Sequence, residues 1–454
     1  MDIIKNMRFK AGLKSNSKLS CGGNFMDIVV IGGGPAGRTA SIEASSIGEN
    51  VTLVERNKIG GTCLNEGCVM VTGLNDAAKF INDAKNFKNL GLIVCDYQLH
   101  FDKLINGIKE TVSKIRHILE VETKDAGVEI KRGNARLEDK SVIIDGEELE
   151  YDKLIIATGV RPFVPKIEGF ENAITYKDIL SLTELPEELN IVGSGVIAAE
   201  FANVFSGFGT KVNVLCRNKF LKMLDDDIKK YVTQNLIPDV AIHENLSVNS
   251  IHKDGISTGN GEMSGLTFFA TGMVPNSEIA ADIVDLGERK NIIVDKRMQT
   301  SREDIYAAGD VTGGIGTTPV ARAEGVTAAR NACGIFKEMD YRFIPSAISL
   351  QQDVAFINAE NKKNGINGHL KGSAGPGSFW RVHEGKTGLT KMNVSEDGDI
   401  NEIFSVSPSS RTSMAYMSKL LREGQKVDDF DDFMEVHPST DAIYKLLRFF
   451  ARFE

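Results

Sequence analysis

Long apolar runs are missing from this chain of 454 residues. No stretch approaches the roughly 18 consecutive apolar residues that a membrane-spanning helix needs, so no membrane partner is expected. Cysteine is scarce, with six in all: Cys21, Cys63, Cys68, Cys95, Cys216 and Cys333. So low a density excludes a disulfide-stapled secreted scaffold. It fits a reducing cytoplasm, where a disulfide that does form is usually catalytic. Positive charge is in deficit too. Lys and Arg number 53 against 62 Asp and Glu, a net charge of −9. That argues against a nucleic-acid partner, which would need a basic face.

The first 25 residues stand apart. Lys5, Arg8, Lys10, Lys14 and Lys18 make them basic, but no apolar segment follows, so they do not read as a secretory signal. They are expected to be a disordered tail, or an upstream extension with Met26 as the original start; a targeting peptide is the weaker reading. The remaining length suggests about three domains of ordinary globular composition.

An internal repeat organises those domains. The apolar run Ile28-Val29-Val30-Ile31 reads as a buried parallel strand. It opens into Gly32-Gly33-Gly34-Pro35-Ala36-Gly37, then a helical stretch to Gly48, then a strand Val51–Val54 ending at Glu55. This is a βαβ unit with glycines at 32, 34 and 37. The first glycine permits a tight turn, the second lets the backbone approach a pyrophosphate, and the third lets helix and strand pack closely. Glu55 stands where an acid bonds a ribose hydroxyl. A second copy runs from Leu189 through Gly193, Gly195 and Ala198 to a strand Lys211–Leu215. Two such units imply two dinucleotides. In the second copy the acid's place is taken by Cys216, with Arg217, Lys219 and Lys222 following. That substitution hints at NADP; the alternative is that these are solvated surface cations.

Cys63 and Cys68 follow the first unit, in Gly60-Gly61-Thr62-Cys63-Leu64-Asn65-Glu66-Gly67-Cys68. The spacing is uncommon for zinc, no second Cys or His pair lies nearby, and no metal is expected. Two cysteines at a helix start suit thiol–disulfide exchange. On spacing alone, a structural bridge or two inert thiols stay open.

The segment GGTCLNEGC resembles the active-site segment of the FAD-dependent pyridine nucleotide–disulfide oxidoreductases, the family of dihydrolipoamide dehydrogenase and glutathione reductase. Further segments resemble the family in order: Leu154–Gly159, Phe269–Asn276, Ile305–Asp310 and Thr318–Gly325. The resemblance implies an α/β protein with two Rossmann-like domains and a C-terminal α+β interface domain. The FAD domain would be discontinuous, 26–162 and 275–336, the NAD(P) domain 163–274 and the interface domain 340–454. Gly61, Thr62, Ala157, Thr158, Gly159, Gly272, Gly309, Asp310, Thr318, Pro319 and Val320 are the further cofactor residues it implies. Cys68 would be the thiolate facing the flavin and Cys63 the interchange thiol. His437, before Pro438, would be the base, reaching the site of the other subunit in a homodimer.

Three features depart from the family pattern. Thr72 stands where a lysine would pair with the carboxylate corresponding to Glu200, so Glu200 is expected to have a raised pKa. Ala442 replaces the glutamate that would orient His437; Asp441 is the substitute considered. The segment Ile344–Gln352 lacks the dihydrolipoamide dehydrogenase pattern. The expected function is electron transfer between NAD(P)H, FAD and the Cys63–Cys68 pair to a small or protein disulfide. A flavin oxidase or quinone-type reductase with a sensor disulfide, and a non-catalytic redox-responsive flavoprotein subunit, are the rivals.

Overall fold

A computed structural model describes residues 25–360 and 362–452. The expected tail to residue 24, with Cys21, lies outside them. The strand Asp27–Ile31 is central in a parallel sheet ordered Ile305–Ala307, Lys153–Ile156, Asp27–Ile31, Asn50–Glu55, Glu129–Arg132. Ile28 to Ile31 are all buried, as a strand covered on both faces requires. The chain leaves this sheet after Ile156 and returns 149 residues later at Ile305, which pairs with Leu154. The return brings Gly309 and Asp310 beside the glycine turn that follows Ile31.

Between departure and return the chain builds a second parallel sheet, ordered Ala241–Glu244, Lys211–Cys216, Glu188–Val192, Leu266–Phe269. Its helix Val196–Phe208 is apolar almost all round, which marks a helix packed on several sides. Phe201 packs against Phe268 of the sheet, the rings tilted by 52° with centres 4.8 Å apart. Its other side meets the long helix Cys68–Asn89, through Leu74 and Ala78 in one shared core. Burying each such aromatic or aliphatic side chain contributes about 1.5–3 kcal/mol.

The C-terminal part forms an antiparallel sheet of Ser346–Ile348, Asp353–Asn358, Ile400–Ser407, Leu389–Ser395 and Gly365–Lys371. Helices Ser410–Arg422 and Ile443–Phe450 cover it with Met414, Leu421, Leu446 and Phe450. A buried amide chain ties the three parts together. Asn203 Nδ2 donates to Asn75 Oδ1 at 2.7 Å, Asn75 Nδ2 to the Leu350 carbonyl at 3.3 Å, and the Gln351 N–H to Asn203 Oδ1 at 3.1 Å.

Candidate active site

The two glycine turns are built alike. Gly32 has φ +105° and Gly193 φ +152°. A Cβ on Gly32 would lie 2.3 Å from the Ala157 carbonyl oxygen, and one on Gly193 would lie 2.3 Å from that of Ala270. Each turn therefore needs a bare backbone against the end of the neighbouring strand. The third positions differ. A Cβ on Gly37 would meet the Gly32 carbonyl at 1.9 Å, whereas Ala198 is accommodated and fully buried. Glu55 braces the first turn: its Oε2 accepts from the Gly33 N–H and its Oε1 from the Asn57 N–H, both at 2.6 Å.

A cleft of about 2,090 Å³ runs from this turn past the cysteines to the C-terminal sheet. It gathers most of the residues named from the sequence: Gly32, Gly34, Pro35, Ala36, Glu55, Gly61, Thr62, Cys63, Cys68, Ala157, Thr158, Gly159, Gly195, Glu200, Gly272, Gly309, Asp310, Thr318 and Pro319 all line it. Gly37, Gly193, Ala198 and Val320 do not line it. Arg217 is exposed and outside it.

The cysteines sit on two helices, not one. Cys63 belongs to the short helix Gly61–Asn65 and Cys68 begins the helix Cys68–Asn89. Glu66 and Gly67 break the path between them, with Gly67 at φ −128° and ψ −119°. Both are free thiols, so the structure describes the reduced pair. The Thr318 hydroxyl, opening the helix Thr318–Ala332, donates to Cys63 Sγ at 3.1 Å and lies 3.9 Å from Cys68 Sγ. A hydrogen bond from Cys68, that from Thr318 and the charge of Arg322 lower the Cys63 pKa to about 6 against the opposing effect of burial. The same hydrogen bond and burial push Cys68 up. The pair therefore holds one proton between its two sulfurs and loses the other readily.

Glu200, also in the cleft wall, is half-buried, and burial raises its carboxyl to about 7. Thr72 gives it no partner, because the Thr72 hydroxyl donates to the Cys68 carbonyl at 2.8 Å. What Glu200 does have was not legible in the sequence. Its Oε1 accepts the Ser349 N–H at 2.8 Å, and the Ser349 hydroxyl is held by Arg411, whose guanidinium also bonds Asp353 at 2.7 Å.

One expectation is corrected. Asp441 does not serve His437. It is buried beside Ser405 and Ser407 and accepts the Ile443 N–H at 3.0 Å, capping the final helix. His437 itself is exposed and lies outside the cleft of its own chain. Beside Cys216 the next strand carries a carboxylate. Cys216 pairs in register with Glu244. Burial, then that carboxylate, raises the Cys216 thiol to about 12. Glu244 Oε1 also accepts the Phe220 N–H at 2.7 Å.

Residues 26–325 match the family model described as pyridine nucleotide-disulphide oxidoreductase, and the chain belongs to that family. The protein MJ0636 of Methanocaldococcus jannaschii is 32% identical over 434 residues, covering 93% of this chain and 98% of its own. The dihydrolipoyl dehydrogenase of Bacillus subtilis is 27% identical, covering 91% of this chain and 96% of its own. Among solved structures, a Cu(II) complex of the flavoprotein disulfide reductase RclA from Escherichia coli shares the fold, with a TM-score of 0.83 at 24% identity over 95% of this chain and 100% of that one. The family's cofactors are FAD and NAD(P)H. Among the described residues, no helix is long and apolar enough to cross a membrane.

The first half of the cleft fits FAD. A Cβ on Gly61 would come 2.7 Å from Gly34 Cα, and one on Gly309 2.8 Å from Ala36 Cβ, so side chains there would close the cradle. Asp310 is half-buried in the cleft wall, where burial raises its pKa, and its carboxyl has no hydrogen-bond partner among the described residues. An unpartnered acceptor facing the cleft suits a ligand hydroxyl. The Gly34 turn opens the helix Pro35–Ile47, whose N-terminus suits a pyrophosphate.

Proposed function

We propose that this protein is an NAD(P)H-dependent disulfide reductase that works through Cys63 and Cys68 as a homodimer. The observation that carries the reading is the junction of the two thiols on one threonine hydroxyl at the wall of the dinucleotide cleft. Bound FAD supplies two-electron transfer from the nicotinamide to the cysteine pair. The first glycine turn and Asp310 hold it, Glu55 receives a ribose hydroxyl, and Gly193 and Gly195 receive the nicotinamide dinucleotide.

The chain's own chemistry is thiol exchange. The Cys63 thiolate attacks a substrate disulfide, forming a mixed disulfide and releasing the first substrate sulfur as a thiolate. Cys68 then attacks the Cys63 sulfur, forming the Cys63–Cys68 disulfide and releasing the second. The Cys68 proton passes to a departing thiolate, so the substrate gains two electrons and the pair loses two. His437 suits the proton relay because an imidazole titrates near neutrality. Its exposure outside its own cleft supports service to another copy of the chain. Run backwards, the same steps oxidise a dithiol such as dihydrolipoamide.

Anaerobic titration of the FAD-loaded protein with NADH and NADPH tests this. A long-wavelength absorbance band at two electrons, lost in Cys68→Ser, is expected. Plain bleaching of the flavin, the same in the variant, favours the oxidase rival and would overturn the reading. The same titration separates NADH from NADPH.

A further inference from the structure

The helix Cys68–Asn89 has no cation at Thr72, but it carries one seven residues later on the same face, at Lys79. Lys79 does not line the cleft. Its Nζ bonds Asp353 Oδ1 at 3.2 Å, and the other oxygen of Asp353 accepts from Arg411 Nε at 2.7 Å. Arg411 does line the cleft, as do Ser349 and Glu200. Its Nη2 donates to the Ser349 hydroxyl, and the Ser349 N–H donates to Glu200 Oε1 at 2.8 Å. Asn75, between Thr72 and Lys79 on the helix, donates to the Leu350 carbonyl at 3.3 Å and so fixes the register of the two segments.

This cluster is one anion short. Lys79 and Arg411 are two cations on one carboxylate, and neither has a second ion pair among the described residues. Asp83, further along the helix, is already paired with Arg381 at 2.7 Å. An ionised Glu200 balances the cluster, whereas a protonated one leaves it with a net positive charge. The groups facing Glu200 come from three elements: Ser349, Arg411 of the helix Ser410–Arg422, and Cys68. Its own helix, Val196–Phe208, brings no other charged residue. Arg411 is the one fixed charge among them. It favours the ionised carboxyl, while burial and the Cys68 sulfur disfavour it. Its side chain is 47% exposed, so the effect is partly screened.

We propose that Arg411 is the positioning residue of Glu200: anchored on Asp353 and Lys79, it supplies from the C-terminal part the positive charge that Thr72 does not, and so keeps a carboxylate facing the nicotinamide. That charge matters in one step. On giving its hydride, a proton with two electrons, to the flavin, NAD(P)H becomes NAD(P)+ and its ring becomes positive. An ionised Glu200 stabilises that developing charge, and a protonated one does not. This rests on the reading that the turn at Gly195 receives the nicotinamide dinucleotide, since Glu200 stands about one turn into the helix that opens there. It does not depend on which disulfide is reduced.

The test uses the FAD-loaded, oxidised full chain. Arg411→Met keeps an apolar stem and removes the charge, and Asp353 keeps Lys79, so no buried carboxylate is stranded. Carbon-13 NMR of the Glu200 carboxyl, identified by its loss in Glu200→Gln, reads the titration without turnover. Its midpoint is expected about one pH unit higher in Arg411→Met, and Arg411→Lys should return most of that shift. Lys79→Met, which leaves the cleft lining intact, should move the midpoint the same way by less. Rapid mixing with NADH and NADPH should show flavin reduction quickening as pH rises through the midpoint. At pH 7, Arg411→Met should slow that reduction about fivefold. A midpoint unmoved in either Met variant, a Lys variant no better than Met, or an unchanged pH profile of flavin reduction would overturn this inference alone. Flavin reduced by neither nucleotide in the parent would overturn the nucleotide reading and this inference with it.

Discussion

Thr318 donates its hydroxyl to Cys63 Sγ at 3.1 Å although 255 residues separate the two in sequence. The contact exists because the chain returns to its first sheet at Ile305 and then opens a helix over the cysteines. Its chemical effect is to stabilise the Cys63 thiolate. Thr318→Val keeps the shape and removes the donor, and a hydrogen bond to a charged group is worth about 1.5–3 kcal/mol. Discounting for the half-exposed site, the Cys63 pKa should rise by about one unit from its value near 6. The pH midpoint for iodoacetamide alkylation of Cys63 reads this directly. At pH 7 the thiolate fraction should fall from about nine-tenths to about half. Equal midpoints in variant and parent would show that the threonine does not tune the thiol.

Glu200 makes stability depend on pH in the direction opposite to an ordinary paired carboxylate. Its folded pKa, about 7, lies above the ordinary value of 4.5. Between those values the folded chain holds a proton that the unfolded chain has lost, so stability falls as pH rises through the window. Glu200→Gln keeps the acceptor for the Ser349 N–H and removes the titration. In the FAD-free full chain, the variant's stability relative to the parent should improve from pH 4 to pH 8, by as much as about 3 kcal/mol. Denaturant midpoints taken across that range check it, and parallel profiles would exclude a raised Glu200 pKa.

What the sequence disclosed was local. The run Ile28–Ile31, the glycine turns and the Cys63–Cys68 spacing all act over a few residues, so their chemistry can be read along the chain. What it concealed depends on strands and loops meeting. Glu244 reaches Cys216 through a strand register that no motif encodes. Ser349 and Arg411 reach Glu200 because the C-terminal sheet packs against the helix Val196–Phe208. Sequence distance alone places Asp441 near His437. Helix capping and two serines on a neighbouring strand claim it instead.

The amide chain through Asn203 offers a structural test of how the three parts are joined. Asn203→Ala would strand two buried groups, Asn75 Oδ1 and the Gln351 N–H. Leaving a buried donor or acceptor unsatisfied costs about 1–3 kcal/mol each. The effect should be local, at the segment that docks the C-terminal sheet on the helix Val196–Phe208. Hydrogen exchange of the Gln351 amide is therefore expected to quicken at least about tenfold, with little change in the first sheet around Val30. Exchange that stays as slow as in the parent would mean that apolar packing alone holds the junction.

His437 poses the question of who uses whom. It lies outside its own cleft, whereas Cys63 lies inside it. His437→Ala should lower disulfide reduction about 100-fold and leave reduction of the bound flavin by NAD(P)H nearly intact, because the histidine acts only on the thiol protons. Cys63→Ser should also stop disulfide reduction, for the separate reason that the attacking sulfur is gone. If a site is completed by the other copy, mixing the two inactive proteins under conditions that exchange subunits must create activity. In a hybrid dimer, the chain with an intact Cys63 receives an intact His437 from its neighbour, while the other site lacks both groups. One working site in every hybrid dimer, with hybrids near half of all dimers at equal mixing, gives about a quarter of parental activity. Activity that stays at the level of the separate variants would mean that His437 acts on its own chain or not at all.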